Sequence, residues 1–374
     1  HFFCSARLRW LGMVLASLHG HAQAPPAHRP IASPQQVHCL GQRLLTQPGS
    51  RQPIAACVRT RLSDEQPGRL SGVSRRMATA AIAPHQTLAS GAHALPSDLA
   101  EAMPAYIAVA HRLADAAALV VRRYFRQPFD VETKADASPV TIADREAETA
   151  MRDLLTQLVP EHGVFGEEHG IKWGSGAGSD YVWVLDPIDG TKSFITGKPL
   201  FGTLISLLYK GRPVLGIIDQ PILKERWLGV EGQPSTLNGQ PIRTRPCPNI
   251  NLAFLYATTP HMFSGANEIS FNRVRDAVRI PMYGCDCYAY GLLAAGHADL
   301  VVEADLKPYD YMALVPIIKG AGGIVTDWTG QELCWLPSPG DDAEAMKSSW
   351  PGEVLAAGDA TCHAAALALL DFRP

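Results

Sequence analysis

The stretch WVLDPIDGTKSF, from Trp183 to Phe194, constrains the fold more than any other part of the sequence. Its apolar first half predicts a buried strand, and Pro187 cannot continue a strand's hydrogen-bond ladder, so the chain must turn just after Asp186. The turn brings the carboxylates of Asp186 and Asp189 together and leaves the Ile188 carbonyl facing the same cavity. These are hard oxygen ligands, which Mg²⁺ or Ca²⁺ prefers and Zn²⁺ does not.

Gly190 and Thr191 come directly after the second aspartate. Gly190 permits a close approach of the backbone, and Thr191 stands at the start of a short helix whose free amides can hold a phosphate group. A DPxDGT string can also be a plain N-capped turn, because Asp, Gly and Thr are common in such turns. Further carboxylates at the same place would favour the first interpretation.

Three other acidic segments supply such carboxylates. In GEEHG, Glu167 belongs to a glycine-flanked pair of like charges that would repel each other, and a cation would relieve that repulsion. The segment KADASPVTIAD runs from Lys134 to Asp144, and KPYDYM contains Asp310. Asp310 alone is explained more simply as a residue at a helix start. The combination of four acidic segments favours a cation site.

Residues 1–97 differ in composition from the rest of the chain. They contain ten arginines, no lysine and only two acids, Asp64 and Glu65, among many Ser, Ala, Pro, Gln and His residues. This composition is typical of an organellar transit peptide, although a disordered polar tail can share it. The shortage of acids and the abundance of Ser, Ala and Pro favour plastid import, with mitochondrial import as the alternative.

The charge of the body restricts its partners. Of the 33 basic and 36 acidic residues in the chain, ten and two respectively lie in this leader, so the body carries 23 and 34, a formal net charge of −11. Such an acidic body argues against nucleic acid or an anionic membrane as the main partner, and no apolar run approaches the ~20 residues of a membrane span. A phosphorylated substrate would need a bound divalent cation to attract it.

Hydrophobic periodicity predicts alternating helices and strands in the body. The predicted helices are Leu99–Phe125, Thr141–Leu158, Asn272–Arg279, Tyr288–Ala295, Tyr309–Lys319 and a last helix that ends near Leu370. The predicted strands are Tyr181–Leu185, Thr203–Tyr209, Val214–Asp219, Leu252–Ala257, Leu300–Glu303, Gly323–Asp327 and Val354–Ala357. The segment from Gly174 to Asp180 is predicted to be a flexible connection.

The motifs GEE, WVLDPIDGTKSF and PYD occur in an order and at spacings that resemble the inositol monophosphatase family, the lithium-sensitive, magnesium-dependent phosphatases related to fructose-1,6-bisphosphatase. The resemblance covers roughly Leu99 to Leu370. It implies an α/β fold, the layered αβαβα sandwich of that family, and a homodimer. Residues 98–245 would form an α+β half with the metal motifs, and residues 246–374 an α/β half with the substrate-specificity residues.

The resemblance also implies a site with two to three Mg²⁺ ions. Glu167, Asp186 and the Ile188 carbonyl match the ligands of the first ion. Asp186, Asp189 and Asp310 match those of the second, and Glu167 would also contact a third, weaker ion. The substrate would be a small phosphate monoester, attacked directly by a metal-activated water without a covalent phosphoenzyme.

Four further residues correspond to polar positions of the family. Thr191 matches the threonine that helps to orient the attacking water. Thr141 and Asp144 match polar residues that support the part of the site where this water would bind. Lys134 lies one residue nearer to Asp144 than the family pattern, and Ser138 stands where an aspartate is familiar, so the roles of these two residues are not assigned.

The choice of substrate depends on the segment from Tyr283 to Asp310. Glu303 matches the glutamate that usually contacts the substrate alcohol, and Gly190 and Thr191 would contact the phosphate. Asp286 stands where inositol phosphatases carry a small residue, and a second carboxylate suits a cationic substrate, because a buried anion needs a partner. The segment GCDCYAY resembles the histidinol-phosphate phosphatase branch of the family, whose substrate offers an amino group and an imidazole.

Three functions remain open from the sequence. The first is hydrolysis of L-histidinol phosphate in histidine biosynthesis, with the substrate imidazole packing against Tyr288 or Tyr290. The second keeps the chemistry but takes inositol, galactose or another sugar phosphate, with Asp286 as a plain helix N-cap. The third is a non-catalytic protein that binds a partner, which the four intact acidic segments argue against.

Overall fold

The computed structural model describes residues 95–133, 139–338, 346, 349–350 and 352–371. The predicted leader lies almost entirely outside this range, and so do Lys134 and Ser138. The predictions about them, and the predicted division at residue 245, stay predictions.

The described chain begins with two helices, α1 (Ser97–Tyr124) and α2 (Ile142–Leu158), and between them in sequence lie the antiparallel strands β1 (Val131–Thr133) and β2 (Pro139–Thr141). Thr141 caps α2 through its side chain. Buried residues of α1 recur every three or four positions, the spacing of one helix face: Leu99, Met103, Ala110, Leu113, Ala117 and Val121.

Helix α1 is long and apolar enough to cross a membrane by length and composition alone. The prediction that no segment reaches this length was therefore wrong. In the described fold, however, Leu113 and Val121 are fully buried in one hydrophobic cluster with α2 and the first β-sheet. Helix α1 is thus a core helix of this fold.

The first sheet has eight strands, which alternate with short turns and the helix α3 (Thr191–Ile195). The strands are β3 (Gly163–Gly166), β4 (Gly170–Lys172), β5 (Tyr181–Asp189), β6 (Gly202–Tyr209), β7 (Arg212–Gln220), β8 (Glu225–Val230), β9 (Thr236–Leu237) and β10 (Gln240–Pro241). Their spatial order is β10-β9-β8-β7-β6-β5-β3-β4, and all neighbours are antiparallel except β3 and β5.

The remaining elements form a second sheet and its helices. In chain order they are β11 (Phe254–Ala257), α4 (Gly265–Ala277), β12 (Ile280–Tyr283), α5 (Cys287–Ala294), β13 (Leu300–Glu303), α6 (Pro308–Tyr311), α7 (Leu314–Gly320), β14 (Ile324–Thr326), β15 (Val354–Ala357) and α8 (Ala360–Leu370). The strand order is β12-β11-β13-β15-β14, with the first three strands parallel. The carboxyl ends of these three strands therefore meet at one edge, where α/β proteins bind ligands.

Three hydrophobic clusters join these elements into layers. One cluster joins α1 and α2 to the first sheet, a second joins the first sheet through α5, α6 and α7 to the second sheet, and a third joins the second sheet to α4 and α8. A Cβ atom on Gly216 of β7 would lie 1.9 Å from the Ala313 carbonyl oxygen. Glycine is therefore required for the helices between the two sheets to pack this closely against the first sheet. The layers are helix, sheet, helix, sheet, helix, which confirms the predicted αβαβα sandwich.

Most predicted elements are present within a few residues of their predicted ends, with informative exceptions. The predicted flexible connection contains a 3-10 helix at Gly176–Asp180. The predicted helix Tyr309–Lys319 is divided into α6 and α7, because Pro316 has no amide to donate to the carbonyl of Met312. Strands β1 to β4, β8 to β10 and β12 were not predicted, since β8 does not stand out by its alternation of apolar and polar residues and the others have only two to four residues.

Candidate active site

Strand β5 carries the two aspartates of the DPxDGT motif, but it does not end where the sequence predicts. Instead of turning after Asp186, β5 continues to Asp189 with an irregular register against β6 between these residues. Pro187 occupies the irregularity, and its carbonyl accepts a hydrogen bond from Thr203 Oγ1 at 2.8 Å. The Ile188 amide donates to Asp186 Oδ1 at 3.0 Å. A bulge, rather than a turn, therefore brings the two carboxylates together.

Asp310 joins them from the start of α6. One oxygen from each of Asp186, Asp189 and Asp310 lies within 4.8 Å of the other two, and we name these three residues the carboxylate trio. Backbone amides fix the trio: Lys307 N donates to Asp310 Oδ2 at 2.7 Å, and Cys287 N donates to Asp189 Oδ2 at 2.5 Å. Elements distant in sequence thus meet at one acidic point.

The carboxylate trio has raised pKa values. Burial, and then the charge of Glu167, raises the pKa of Asp186 well above its usual range. Burial, and then Asp286, does the same for Asp189. The pKa of Asp310 is raised to about 7 by burial and then by Glu167. Like charges held together out of water are unfavourable without a cation, and an all-oxygen donor set suits a hard divalent ion.

Glu167 lies beside the trio, in the turn after β3. Its amide donates to the Leu185 carbonyl of β5 at 3.2 Å. Its charge raises the pKa of Asp186, Asp310 and Asp144, although its carboxylate is outside the 4.8 Å group. Glu167 can therefore contribute a further carboxylate ligand from beside the trio.

Thr141 and Asp144 form a capping box at the start of α2. Thr141 donates to Asp144 Oδ2 through its amide at 2.8 Å and its hydroxyl at 2.6 Å. Asp144 Oδ1 is buried without a hydrogen-bond partner among the described residues. Burial raises the pKa of Asp144 to about 6. This oxygen is available to accept a hydrogen bond from a bound water molecule.

Gly190 and Thr191 connect β5 to α3. Gly190 has a φ of 91°, which glycine adopts without strain, and a Cβ atom there would lie 3.0 Å from Asp286 Oδ2. Thr191 Oγ1 donates to the Ile188 carbonyl at 3.1 Å. The predicted phosphate contacts and the predicted carbonyl ligand therefore lie next to each other, directly after Asp189.

Asp286 occupies the N-cap position of α5 but does not cap it. Its side chain makes no capping hydrogen bond. Instead it accepts from Ser193 Oγ at 3.4 Å and from Thr258 Oγ1 at 3.3 Å. Its φ of 47° is unfavourable for a residue other than glycine, and such strain is concentrated at functional sites. The interpretation of Asp286 as a plain helix cap was wrong.

Glu303 ends β13 and is buried. It accepts hydrogen bonds from the Thr258 amide at 2.7 Å and from Tyr290 OH at 2.9 Å. Burial raises its pKa to about 7. Thr258 thus contacts both Asp286 and Glu303, through different atoms, and we name these two acids the carboxylate pair.

The sequence did not indicate the donors that hold this pair, namely Ser193, Thr258 and Tyr290. Thr258 follows the carboxyl end of β11, and that position is the signal that could have identified it. The expectation that Tyr290 packs against a substrate ring was wrong, because it is 1% exposed and bonded to Glu303. The Tyr288 ring lies edge-on against the Trp227 ring, and both belong to the hydrophobic cluster between the two sheets.

Comparisons with known proteins identify the family of this chain. Residues 103–364 match the profile of the inositol monophosphatase family. The bifunctional phosphatase IMPL2, chloroplastic, of Arabidopsis thaliana is 52% identical over 301 residues, which cover 80% of this chain and 85% of that protein. A histidinol-phosphatase of Chlorobaculum parvum is 34% identical over 227 residues, or 60% of this chain and 86% of the relative. The structure of an inositol monophosphatase from Zymomonas mobilis, 48% identical, superposes with a TM-score of 0.63 and covers 72% of this chain and 99% of that one.

The layered fold and the clustered carboxylates define a phosphomonoesterase that acts on small phosphate esters. The chain belongs to the inositol monophosphatase family, as its motifs predict. Members of this family are generally metal-dependent, and the oxygen atoms of the carboxylate trio fit that dependence.

Proposed function

We propose that this protein is a Mg²⁺-dependent phosphatase that hydrolyses L-histidinol phosphate to L-histidinol and phosphate, a step of histidine biosynthesis, in the plastid. The carboxylate trio and its neighbours would bind the metal ions and the phosphate group. The carboxylate pair would produce the preference for this substrate. Relatives named as histidinol-phosphatases support the proposal, and the chloroplastic relative supports the location.

The observation that carries the substrate proposal is the side chain of Asp286. It is held by two hydroxyl groups rather than by a cation, and burial raises its pKa. Glu303, the other acid of the pair, is also held by uncharged donors. Lys192 and Lys198 are near enough to lower the pKa of Asp286, but only as smaller influences than burial. The ammonium group of histidinol phosphate would balance this negative charge.

The metal ions would be held by oxygen atoms of the carboxylate trio, Glu167 and the Ile188 carbonyl, with two or three Mg²⁺ in all. Bound Mg²⁺ supplies a water molecule of lowered pKa and neutralises charge on the phosphoryl group.

The other site residues would orient the reactants. Asp144 Oδ1 and the Thr191 hydroxyl would hold the attacking water in line with the phosphorus, with Thr141 fixing Asp144. The amides of Gly190 and Thr191 would donate to phosphoryl oxygens. Glu303 would accept a hydrogen bond from the leaving side of the substrate, where Asp286 would accept one from its ammonium group.

Phosphate release by the purified protein tests this proposal, with L-histidinol phosphate, myo-inositol 1-phosphate and fructose 1,6-bisphosphate compared at equal concentration with and without Mg²⁺. We expect a preference for histidinol phosphate of about a hundredfold in kcat/KM, equivalent to ~2.7 kcal/mol of differential transition-state binding. Asp286→Asn, which keeps the shape but removes the charge, should reduce that preference to below about tenfold. Equal losses on all three substrates would contradict the role of Asp286.

A second candidate is inositol or another sugar phosphate as the substrate. It is favoured by the 48% identity to an inositol monophosphatase of known structure and by the word bifunctional in the name of the Arabidopsis relative. A wild-type preference for myo-inositol 1-phosphate in the same assay would select it. The roles of the carboxylate trio would then stay as proposed.

Two further proposals concern the state of the protein in the cell. We expect a homodimer, which sedimentation of the purified protein would test. We also expect residues 1–97 to direct a fused fluorescent protein to plastids, whereas import into mitochondria would support the alternative location.

A further inference from the structure

Glu167 lies in a three-residue turn between two paired strands. Gly166 of β3 lies opposite Gly170 of β4, and we name residues 166–170 the GEEHG turn. The Glu167 amide is tied to β5, and the backbone of the next two residues sets the course of the rest of the turn. The direction of the Glu167 side chain therefore depends on what holds the other two turn residues.

A buried carboxylate of α2 holds them. Glu148 is 0% exposed, and it accepts hydrogen bonds from the amides of Glu168 at 2.7 Å and His169 at 3.2 Å. Amides that donate to a carboxylate make stronger hydrogen bonds than amides that donate to a neutral acceptor. Glu148 thus fixes the backbone directly after Glu167.

The contact between Glu148 and the GEEHG turn is close, and Arg152 stabilises it. A Cβ atom on Gly166 would lie 2.1 Å from Glu148 Oε1, so only glycine leaves room for this carboxylate under the turn. Arg152, one helical turn after Glu148, donates to Glu148 Oε1 at 2.7 Å, and its other nitrogen donates to the Gly170 carbonyl. The second half of the GEEHG turn, from Glu168 to Gly170, is therefore bound to α2.

Helix α2 carries Asp144 as well, four residues before Glu148, and residues at this spacing share a helix face. The helix therefore sets the position of the proposed water acceptor and, through the turn, that of the proposed metal ligand Glu167. We propose that Glu148 is a positioning residue for the metal site, which acts by fixing the GEEHG turn. This inference rests on the proposed function, because it needs Glu167 to bind the ion.

Calorimetric titration of Mg²⁺ into the full-length protein without substrate provides the main test. In Glu148→Gln, the side-chain NH₂ group would oppose one of the two turn amides. We expect this variant to bind Mg²⁺ about 10–100 times more weakly than wild type, the usual effect of losing a residue that orients a metal ligand. Its KM for substrate at saturating Mg²⁺ should stay within about threefold of wild type.

Glu146→Gln is the matched control. Glu146 lies on the same helix, but it is hydrogen-bonded to Arg123 and Tyr124 at the surface. Glu146→Gln should bind Mg²⁺ with the same affinity as the wild-type protein. Equal affinity in Glu148→Gln and Glu146→Gln would overturn the inference. No binding of Mg²⁺ by the wild-type protein would instead overturn the proposed function, so the two failures are distinguishable.

A second variant covers the case in which Glu148→Gln does not fold. Glu148→Asp keeps the charge beside Arg152 but draws the carboxylate away from the turn by one methylene. We expect weaker Mg²⁺ binding and faster hydrogen exchange of the Glu168 and His169 amides, with unchanged exchange in β5. Faster exchange without weaker binding would show a purely structural role and overturn the inference.

Discussion

The carboxylate trio and the carboxylate pair are both acidic and buried to a similar depth, but they are held in different ways. Backbone amides hold the trio: those of Ile188, Cys287 and Lys307. Side-chain hydroxyl groups hold most of the pair, through Ser193 and Thr258 for Asp286 and through Tyr290 for Glu303. A backbone donor survives every substitution except one to proline, whereas a hydroxyl donor disappears when its residue is replaced by one without a hydroxyl group. The trio is thus built into the fold, and the pair can be altered without changing it.

The electrostatic demands of the two groups differ as well. In the trio the charges of Glu167 and the neighbouring aspartates add to burial and raise the pKa values. In the pair the influence next in size after burial is instead a hydrogen bond from Thr258, which opposes burial on both acids, and the charge of Asp286 raises the pKa of Glu303 only as a smaller influence. The trio therefore needs a strong cation such as a divalent metal ion. The pair needs only a weaker partner, such as a substrate ammonium group.

The largest expected effect is that of Asp189→Asn on the trio. The asparagine oxygen can still accept from Cys287 N, but one metal-binding charge is lost. We expect kcat/KM to fall at least ~10³-fold on every substrate, about 4 kcal/mol. Without Mg²⁺ the variant should unfold at a higher temperature than wild type, because one repelling charge is gone. Thermal unfolding in EDTA measures this, and a lower temperature would contradict the role of repulsion in the trio.

A smaller and selective effect is expected from Thr258→Val in the pair. Valine removes the hydroxyl that donates to Asp286 but keeps the amide that donates to Glu303. Loss of one hydrogen bond to a charged group, worth about 1.5 kcal/mol, should lower kcat/KM for histidinol phosphate ~10-fold. Turnover of myo-inositol 1-phosphate serves as the internal control and should change less than about threefold. An equal loss on both substrates would mean that the pair does not select the substrate.

The smallest effect concerns pH. The folded-state pKa values of Asp144, Asp310 and Glu303 are raised to about 6, about 7 and about 7. At these three groups the folded protein binds more protons than the unfolded chain between about pH 4 and pH 7, which opposes the effect of His162 and His363, whose pKa burial lowers to about 4. Without metal, stability should fall as pH rises through this window, by a few °C in the unfolding temperature.

Added Mg²⁺ should reverse this dependence, because metal ligands must be deprotonated to bind. The gain in unfolding temperature from Mg²⁺ should grow from pH 5 to pH 8. Scanning calorimetry in EDTA and in Mg²⁺ across this range makes the comparison. A metal-free protein that becomes more stable toward pH 8 would contradict the raised pKa values.

Sequence patterns predicted the trio better than the pair. Asp186 and Asp189 lie within a few residues, so local rules about proline, glycine and oxygen ligands apply to them directly. Asp310 was added only by the combination of acidic segments and by the family resemblance. Asp286 was predicted only through a family resemblance. Its donors Ser193 and Thr258 come from other elements, and no local pattern connects residues that meet only after folding.

The sequence by itself determined most of the helices, the longer strands, the acidic segments and the family of this protein, because periodicity and short motifs are properties of neighbouring residues. The tertiary structure alone decided that β5 bulges instead of turning, that Asp286 binds hydroxyl groups instead of capping its helix, and that Glu148 lies beneath the GEEHG turn. Each of these depends on which element lies opposite, and packing between distant segments settles that choice.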